Sequence, residues 1–224
     1  MRCETSPPVT DDLESSESSL LSGGGSTVSH PKIYSGLERA IVQETPAVYF
    51  SSVYGSTRVY AGALAHALGR RAVDITDGVP ADEVRWGRAE LPLIFVGPVY
   101  GVKLLGADHA AEAAKAVDTD TASHKVAFVT VGLTDPDNAA TKDSSAKFFG
   151  EEKDRIRRFY VPGRLHYPEL KRVHRTAIKG MLLYYSTKPG ATPFEKELVA
   201  SGGVGFDKVD TDKILPVVHW AQTH

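Results

Sequence analysis

Small hydroxylic residues crowd around one glycine in Ser51-Ser52-Val53-Tyr54-Gly55-Ser56-Thr57, directly after the apolar, β-prone run Ala47-Val48-Tyr49-Phe50. The chemistry open to such a stretch is anion binding. A tight strand-to-helix turn brings backbone N–H groups, the positive end of a helix dipole and hydroxyl donors to one point, which suits a phosphate dianion. Ser51, Ser52, Ser56 and Thr57 are the candidate donors, and Gly55 lets the chain bend back or approach the anion closely. The loop holds no lysine, so it is not a Walker A loop, and it lacks the three spaced glycines of a dinucleotide fingerprint. The ligand it suggests is a terminal phosphate monoester held by hydroxyls and amides. The competing reading of the same residues is a hydroxyl-rich turn in which Ser56 or Thr57 serves as a plain N-cap.

Two further glycine-bearing stretches follow apolar runs. Gly97-Pro98-Val99-Tyr100-Gly101 comes after Leu91–Val96, and Gly132-Leu133 comes after Lys125–Val131. The intervening pattern positions them. Val59, Ala63, Leu64, Ala67 and Leu68 recur at helical spacing until Gly69, Arg71–Ile75 reads as a short strand, and alanine-rich Leu104–Val117 reads as a second helix. Strands that are apolar on both faces, alternating with helices in the order β-α-β-β-α-β, imply a parallel sheet covered by helices. Ligands of such sheets bind beyond the C-terminal strand ends, at the switch point of the strand order. All three loops fall on that edge.

Ser52-Val53-Tyr54-Gly55-Ser56-Thr57 resembles the phosphate loop of flavodoxins, Ser/Thr-x-Thr-Gly-x-Thr, which binds the phosphate of FMN after the first strand; Tyr54 stands where threonine is usual. The resemblance implies a flavodoxin-like, doubly wound α/β fold with a five-stranded parallel sheet and helices on both faces. It also implies FMN as cofactor, with the ring between Pro98, Val99, Tyr100 and Gly101 on one flank and Gly132 and Leu133 on the other. Tyr100 is then the ring-stacking candidate, against the alternative of a turn tyrosine at the sheet edge. Further along, Thr130-Val131-Gly132-Leu133, the polar insertion Thr134–Ser145, Ala146-Lys147-Phe148-Phe149 and Gly163-Arg164-Leu165-His166-Tyr167-Pro168 before a basic helix are similar to flavodoxin-type, menaquinone-dependent protoporphyrinogen oxidases. That similarity runs from about Ala47 to Leu183. Past Tyr185 the chain departs from it, with a longer Gly- and Pro-containing piece from Ser186 to Gly205, and with Asp210-Thr211-Asp212-Lys213-Ile214 where that family carries a Thr-Asp-Trp segment.

Composition bounds what else the chain can be. Its 224 residues and 42% hydrophobic content suffice for one domain, placed at 46–224, behind a Ser- and Gly-rich tail, 1–32, that is expected to be disordered. Ile33–Val42 reads as a short helix or arm leading into the first strand. The one cysteine, Cys3, excludes an internal disulfide or thiolate cage and fits a reducing compartment, the cytoplasm. A net charge of −2 gives no case for nucleic acid. No stretch approaches the length of a transmembrane helix, and Met1–His30 lacks the apolar core of a signal peptide.

Between Lys153 and Lys188 ten Lys/Arg residues face two acids, Asp154 and Glu169. Lys171, Arg175 and Lys179 step by four along one helix face, and Leu170, Val173, Ala177, Ile178, Met181 and Tyr185 line the other. The plain reading is an amphipathic surface helix. The functional reading is a cationic rim, 164–179, for an acidic redox partner protein, the propionates of a porphyrinogen, or an anionic membrane surface, at the inner membrane face, where quinones reside. His166 and His174 read as satisfied or exposed surface histidines.

The leading expectation is an FMN-dependent oxidoreductase in which the flavin carries the chemistry, so no catalytic acid or base is assigned. Protoporphyrinogen oxidation with a quinone acceptor competes with electron shuttling between proteins. A cofactor-free regulatory or interaction module on the same scaffold is the alternative from another class. No Gly-x-Ser-x-Gly elbow, His-Glu-x-x-His or cysteine pair supports a hydrolase or metalloenzyme.

Overall fold

The computed structural model describes residues 45–83, 86, 92–117, 124–202 and 204–224; the tail 1–32 and the arm Ile33–Val42 lie outside them. Strand β1 (Val48–Phe50) leads through the hydroxylic loop into helix α1 (Ser56–Leu68), followed by β2 (Ala72–Asp74), β3 (Leu93–Tyr100), β4 (Lys103–Leu104), α2 (Ala107–Ala116), β5 (Val126–Gly132), α3 (Pro136–Lys142) and β6 (Ile156–Pro162). Five strands pair in parallel in the order β2-β1-β3-β5-β6, and β4 folds back antiparallel on the end of β3. The strand order reverses between β1 and β3, so the loop after β1 and the end of β3 flank the switch point. This is the expected flavodoxin-like architecture.

The period-2 alternation of buried strands divides the core between two layers. Tyr49, Leu93, Phe95, Val126 and Phe128 face α2, whose Ala107, Ala110, Ala113 and Ala114 allow a close approach. Val48, Phe50, Ile94, Val96, Ala127, Val129 and Val131 face α1, where Tyr60, Ala61, Leu64 and Ala65 are buried. Each such leucine or valine contributes about 1.5–3 kcal/mol on burial, which is why these strands need no polar face.

The remaining chain forms the two-residue strand β7 (Arg164–Leu165), α4 (Arg172–Thr187), α5 (Pro193–Ala200), β8 (Phe206–Asp207), paired antiparallel with β7, and α6 (Leu215–Thr223). Helix α6 seats Val217, Trp220 and Ala221 against the α1 layer. Tyr60 anchors this end of the molecule: its buried hydroxyl donates to the Pro162 carbonyl at 2.7 Å and accepts from the Asp210 amide at 3.0 Å.

Two expectations are corrected. Gly97–Tyr100 is not a loop but the end of β3, because Pro98 and Val99 continue the pairing with β5 and β4. Lys103 and Leu104 accordingly pair as β4, and α2 begins at Ala107. In the Gly- and Pro-containing piece after Tyr185, α4 runs to Thr187 and Pro193–Ala200 forms α5 behind a capping box of Thr192 and Glu195. On the apolar face of α4, Ile178, Met181 and Tyr185, with Leu170 just before the helix, pack against Leu165, Leu198 and Phe206, while Val173 and Ala177 on that face stay exposed.

Candidate functional site

The hydroxylic loop owes its shape to Gly55, which adopts φ 89° at the N-cap of α1, a conformation that a β-carbon disfavours. Ser52 closes the bend, its Oγ accepting from the Gly55 amide at 3.2 Å while its own amide donates to Thr76 Oγ1 at 2.9 Å. The Ser51 amide belongs to the sheet, donating to the Val96 carbonyl. Among the described residues, the amides of Tyr54, Ser56, Thr57 and Arg58 donate to no protein acceptor. Helix α1 has no side-chain cap and no acid in its first turn. The arrangement is an unsatisfied, uncompensated helix N-terminus of 13 residues, with the donors and the dipole that an anion requires.

A cavity of about 790 Å³ opens beside this turn. Tyr54, Ser56, Pro98, Val99, Tyr100, Gly101, Gly132 and Leu133 line it. Ser51, Ser52, Val53, Gly55 and Thr57 do not. Ser51 turns toward the start of α2, where its Oγ lies 3.3 Å from the position a β-carbon on Gly106 would take. Ser52 lines a neighbouring polar cleft with Arg58, Asp74 and Thr76, and Thr57 is buried at the base of the turn. The three sequence stretches therefore meet at one cavity, while the donors offered to it from the first loop reduce to the Ser56 hydroxyl and the free amides of Tyr54 and Ser56.

Gly132 is required by the protein itself. A β-carbon there would stand 2.6 Å from the Tyr160 hydroxyl and 2.8 Å from Val99 Cγ1. Tyr160 in turn fixes the loop beyond, accepting from the Thr134 amide at 2.8 Å and donating to the Thr134 carbonyl at 3.1 Å. Burial above all holds its phenol well above the ordinary tyrosine range, so it stays a neutral donor.

The far wall of the cavity is α4, through Leu170, Val173, His174, Ala177, Ile178 and Met181, with Leu165 and Arg164 from β7. Tyr54 ties this wall to the phosphate-loop side: its hydroxyl meets His174 Nδ1 at 2.6 Å and accepts from the Lys171 amide, at the start of α4, at 3.2 Å. The His174 ring stacks on Tyr100 with centroids 4.9 Å apart and an interplanar angle of 20°, and Tyr54 meets both rings edge-on. Burial, then the neighbouring Tyr54, raises the Tyr100 phenol far above its usual range, against the opposing Val53 amide. Of the two readings, His174 is the satisfied histidine, half-buried against Tyr54 and Tyr100. Its signal in the sequence is its place in the apolar stripe, four residues after Leu170 and four before Ile178. His166, by contrast, stays outside the cavity, its Nδ1 2.8 Å from Glu169 Oε1.

The cationic rim is thinner than a count of charges implies. Arg164 pairs with Asp207 at 2.9 Å, Arg158 with Asp143 at 2.8 Å, and Lys188 with Glu195 at 2.7 Å. Arg175 donates to the carbonyls of Pro168 and Leu170 and lies over the Tyr167 ring, so it braces the start of α4. Lys171, Arg172 and Lys179 remain exposed on this helix, beside exposed Val173, Leu183 and Tyr184. Among the described residues no helix is long and apolar enough to cross a membrane, and no cluster of three His, Cys, Asp or Glu could hold a metal ion.

The residues present fit the phosphate and ring of FMN. An anion-ready helix N-terminus opens beside a mainly apolar cavity of cofactor size, within the range of about 300–1,000 Å³ usual for such sites. Comparison with curated proteins returns no match. The family model of the flavodoxin domain matches residues 47–192, from the first residue before β1 to the N-cap of α5. FMN-binding electron transfer is the general work of such domains, and with well over half of its length matched, this chain belongs to the flavodoxin domain family.

Proposed function

We propose that this chain binds FMN in the cavity between α1, the ends of β3 and β5, and α4, and that it oxidises a porphyrinogen with a quinone as acceptor. The observation that carries the flavin part is the convergence of the free α1 N-terminus, Tyr100 and Gly132-Leu133 on one cavity. The first-turn amides and Ser56 hold the phosphate, and Pro98–Gly101 and Leu133 flank the ring. When bound, FMN supplies reversible uptake of electrons and protons.

The finer reading rests on the apolar half of the cavity, Leu165, Leu170, Val173, Ala177, Ile178 and Met181, a surface of the kind that a flat, greasy molecule beside the cofactor would need. Lys103 on its lining and Lys171 and Arg172 at the head of α4 supply cations for propionate groups or for an anionic membrane surface from which a quinone is drawn. The substrate gives up hydrogens in pairs, and each quinone takes up one pair to become a quinol. The similarity of Gly163–Pro168 and the basic helix to the menaquinone-dependent oxidases supports the same substrate pair.

Two measurements test this in sequence. The purified full chain mixed with FMN should quench flavin fluorescence at saturation and, with a soluble naphthoquinone, convert protoporphyrinogen to fluorescent protoporphyrin faster than the protein-free mixture does. Flavin binding without conversion leaves electron shuttling between proteins. No flavin binding refutes both readings and leaves the cofactor-free module.

A further inference from the structure

The ring that lies on Tyr100 in this structure is the protein's own. His174 stacks on it at 4.9 Å and 20°, the geometry a flavin ring would adopt on the same tyrosine, and all three rings of Tyr54, Tyr100 and His174 line the cavity. A stack of this kind is held by more than its own contact. The Tyr54 hydroxyl accepts from the Lys171 amide at 3.2 Å and shares a hydrogen bond with His174 Nδ1 at 2.6 Å. Tyr54 also stands at the position where the resembling loops carry threonine, so the residue that departs from the phosphate-loop pattern is the one that pins the imidazole.

We propose that His174 is a gate on the flavin site, latched by Tyr54, and that FMN enters by displacing the imidazole from Tyr100. The inference rests on the flavin reading above and adds to it a positioning residue on α4, a helix that no part of the phosphate-loop pattern includes. Helix α4 can yield without unfolding the core: none of its residues is fully buried, and it packs on a satellite cluster around Leu165, Leu198 and Phe206 rather than on the two sheet layers. Opening the gate forfeits the stack and the Tyr54–His174 hydrogen bond, and the incoming ring replaces the stack when it takes the tyrosine face.

The test uses the full chain, FMN as probe and three variants. H174A, which removes the competing ring, should tighten FMN binding by about 2- to 12-fold, the worth of one aromatic pair, and speed the quenching of flavin fluorescence in stopped flow. H174F, which keeps a ring but no hydrogen bond, should tighten binding less than H174A does, and Y54F should speed entry with the imidazole still present. The second readout is independent of affinity: in NMR spectra of histidine-labelled protein, the ring-current-shifted His174 signals, assigned by their loss in H174A, should move toward unstacked values on FMN saturation. FMN uptake by wild type with His174 signals unmoved, or weaker binding by H174A, overturns the gate and leaves the flavin site standing. Failure of wild type and H174A alike to take up FMN overturns both.

Discussion

Substituting Ser56 by aspartate separates phosphate binding from every other role of the first loop. Ser56 opens α1, whose first turn contains no acid and whose leading amides have no acceptor. A carboxylate there would lie about 4 Å from a phosphate held by the same turn. At an effective dielectric constant of about 20, each pair of unit charges at that distance repels by about 4 kcal/mol, or about a 1,000-fold loss in affinity. The same carboxylate faces the positive end of a 13-residue helix, which favours it by about 0.3–1 kcal/mol. S56D should therefore lose FMN while holding or gaining thermal stability, a combination that damage to the fold cannot mimic. S56N matches the volume without the charge, and S56A removes one charge-assisted hydrogen bond, about a 10-fold loss. Fluorescence titration with FMN and differential scanning calorimetry on the three variants provide the comparison. An S56D protein that binds FMN within about threefold of S56N would show that no phosphate sits at this helix end, and the argument from the α1 terminus would fall.

Three further outcomes follow from particular contacts. Y160F strands the Thr134 amide and carbonyl, so the chain should lose about 1–3 kcal/mol in urea unfolding and loosen the Leu133 flank of the cavity, visible as weaker FMN binding. Y60F removes the hydroxyl shared by Pro162 and Asp210 and should cost a similar amount, with faster amide exchange in α6 as its signature; an unchanged exchange rate would refute the anchoring role. Glu195 is 2% exposed, and although burial pushes its carboxyl up, the Lys188 ammonium on both oxygens and the Thr192 amide prevail and hold it below 4.5. The stability it contributes is present above 4.5 and lost as pH falls through its lower folded value, so E195Q should flatten the fall of unfolding free energy with pH below 4.5; an undiminished slope would place that titration elsewhere.

The sheet was legible because its central strands leave no choice. Leu93–Val96 and Val126–Val131 are apolar on both faces, and the loop after Phe50 announces where β1 ends and α1 begins. Strand β6 was not located, because Arg157 and Arg158 interrupt an otherwise β-prone Ile156–Pro162; an edge strand can carry such residues on its open side, and Arg158 pairs with Asp143. The meeting of Pro98–Gly101 with Gly132-Leu133 followed from strand order. The orientation of the hydroxyls did not, since composition cannot say that Ser52 bonds the Gly55 amide or that Ser51 turns toward Gly106. The partners of His174 were hidden for a related reason: they are Tyr54 and Tyr100, 120 and 74 positions away in the chain, and a place in the apolar stripe carries no mark of them.

Tyr54 links these two shortfalls. A threonine at that position could offer its hydroxyl to a phosphate, but a tyrosine carries its oxygen to the far side of the cavity, where Lys171 and His174 engage it. The loop thereby yields one donor and gains a strut to α4. Fewer hydroxyl contacts to the phosphate shift the weight of binding onto the first-turn amides and onto burial of the ring between Tyr100 and Leu133. If that is the balance, shortening the ligand to riboflavin should weaken binding less here than in a protein whose loop keeps the threonine. The Y54T variant, which restores the hydroxyl and frees His174, should restore the larger dependence on phosphate, and equal riboflavin-to-FMN ratios in the two proteins would break the link between the loop and the helix.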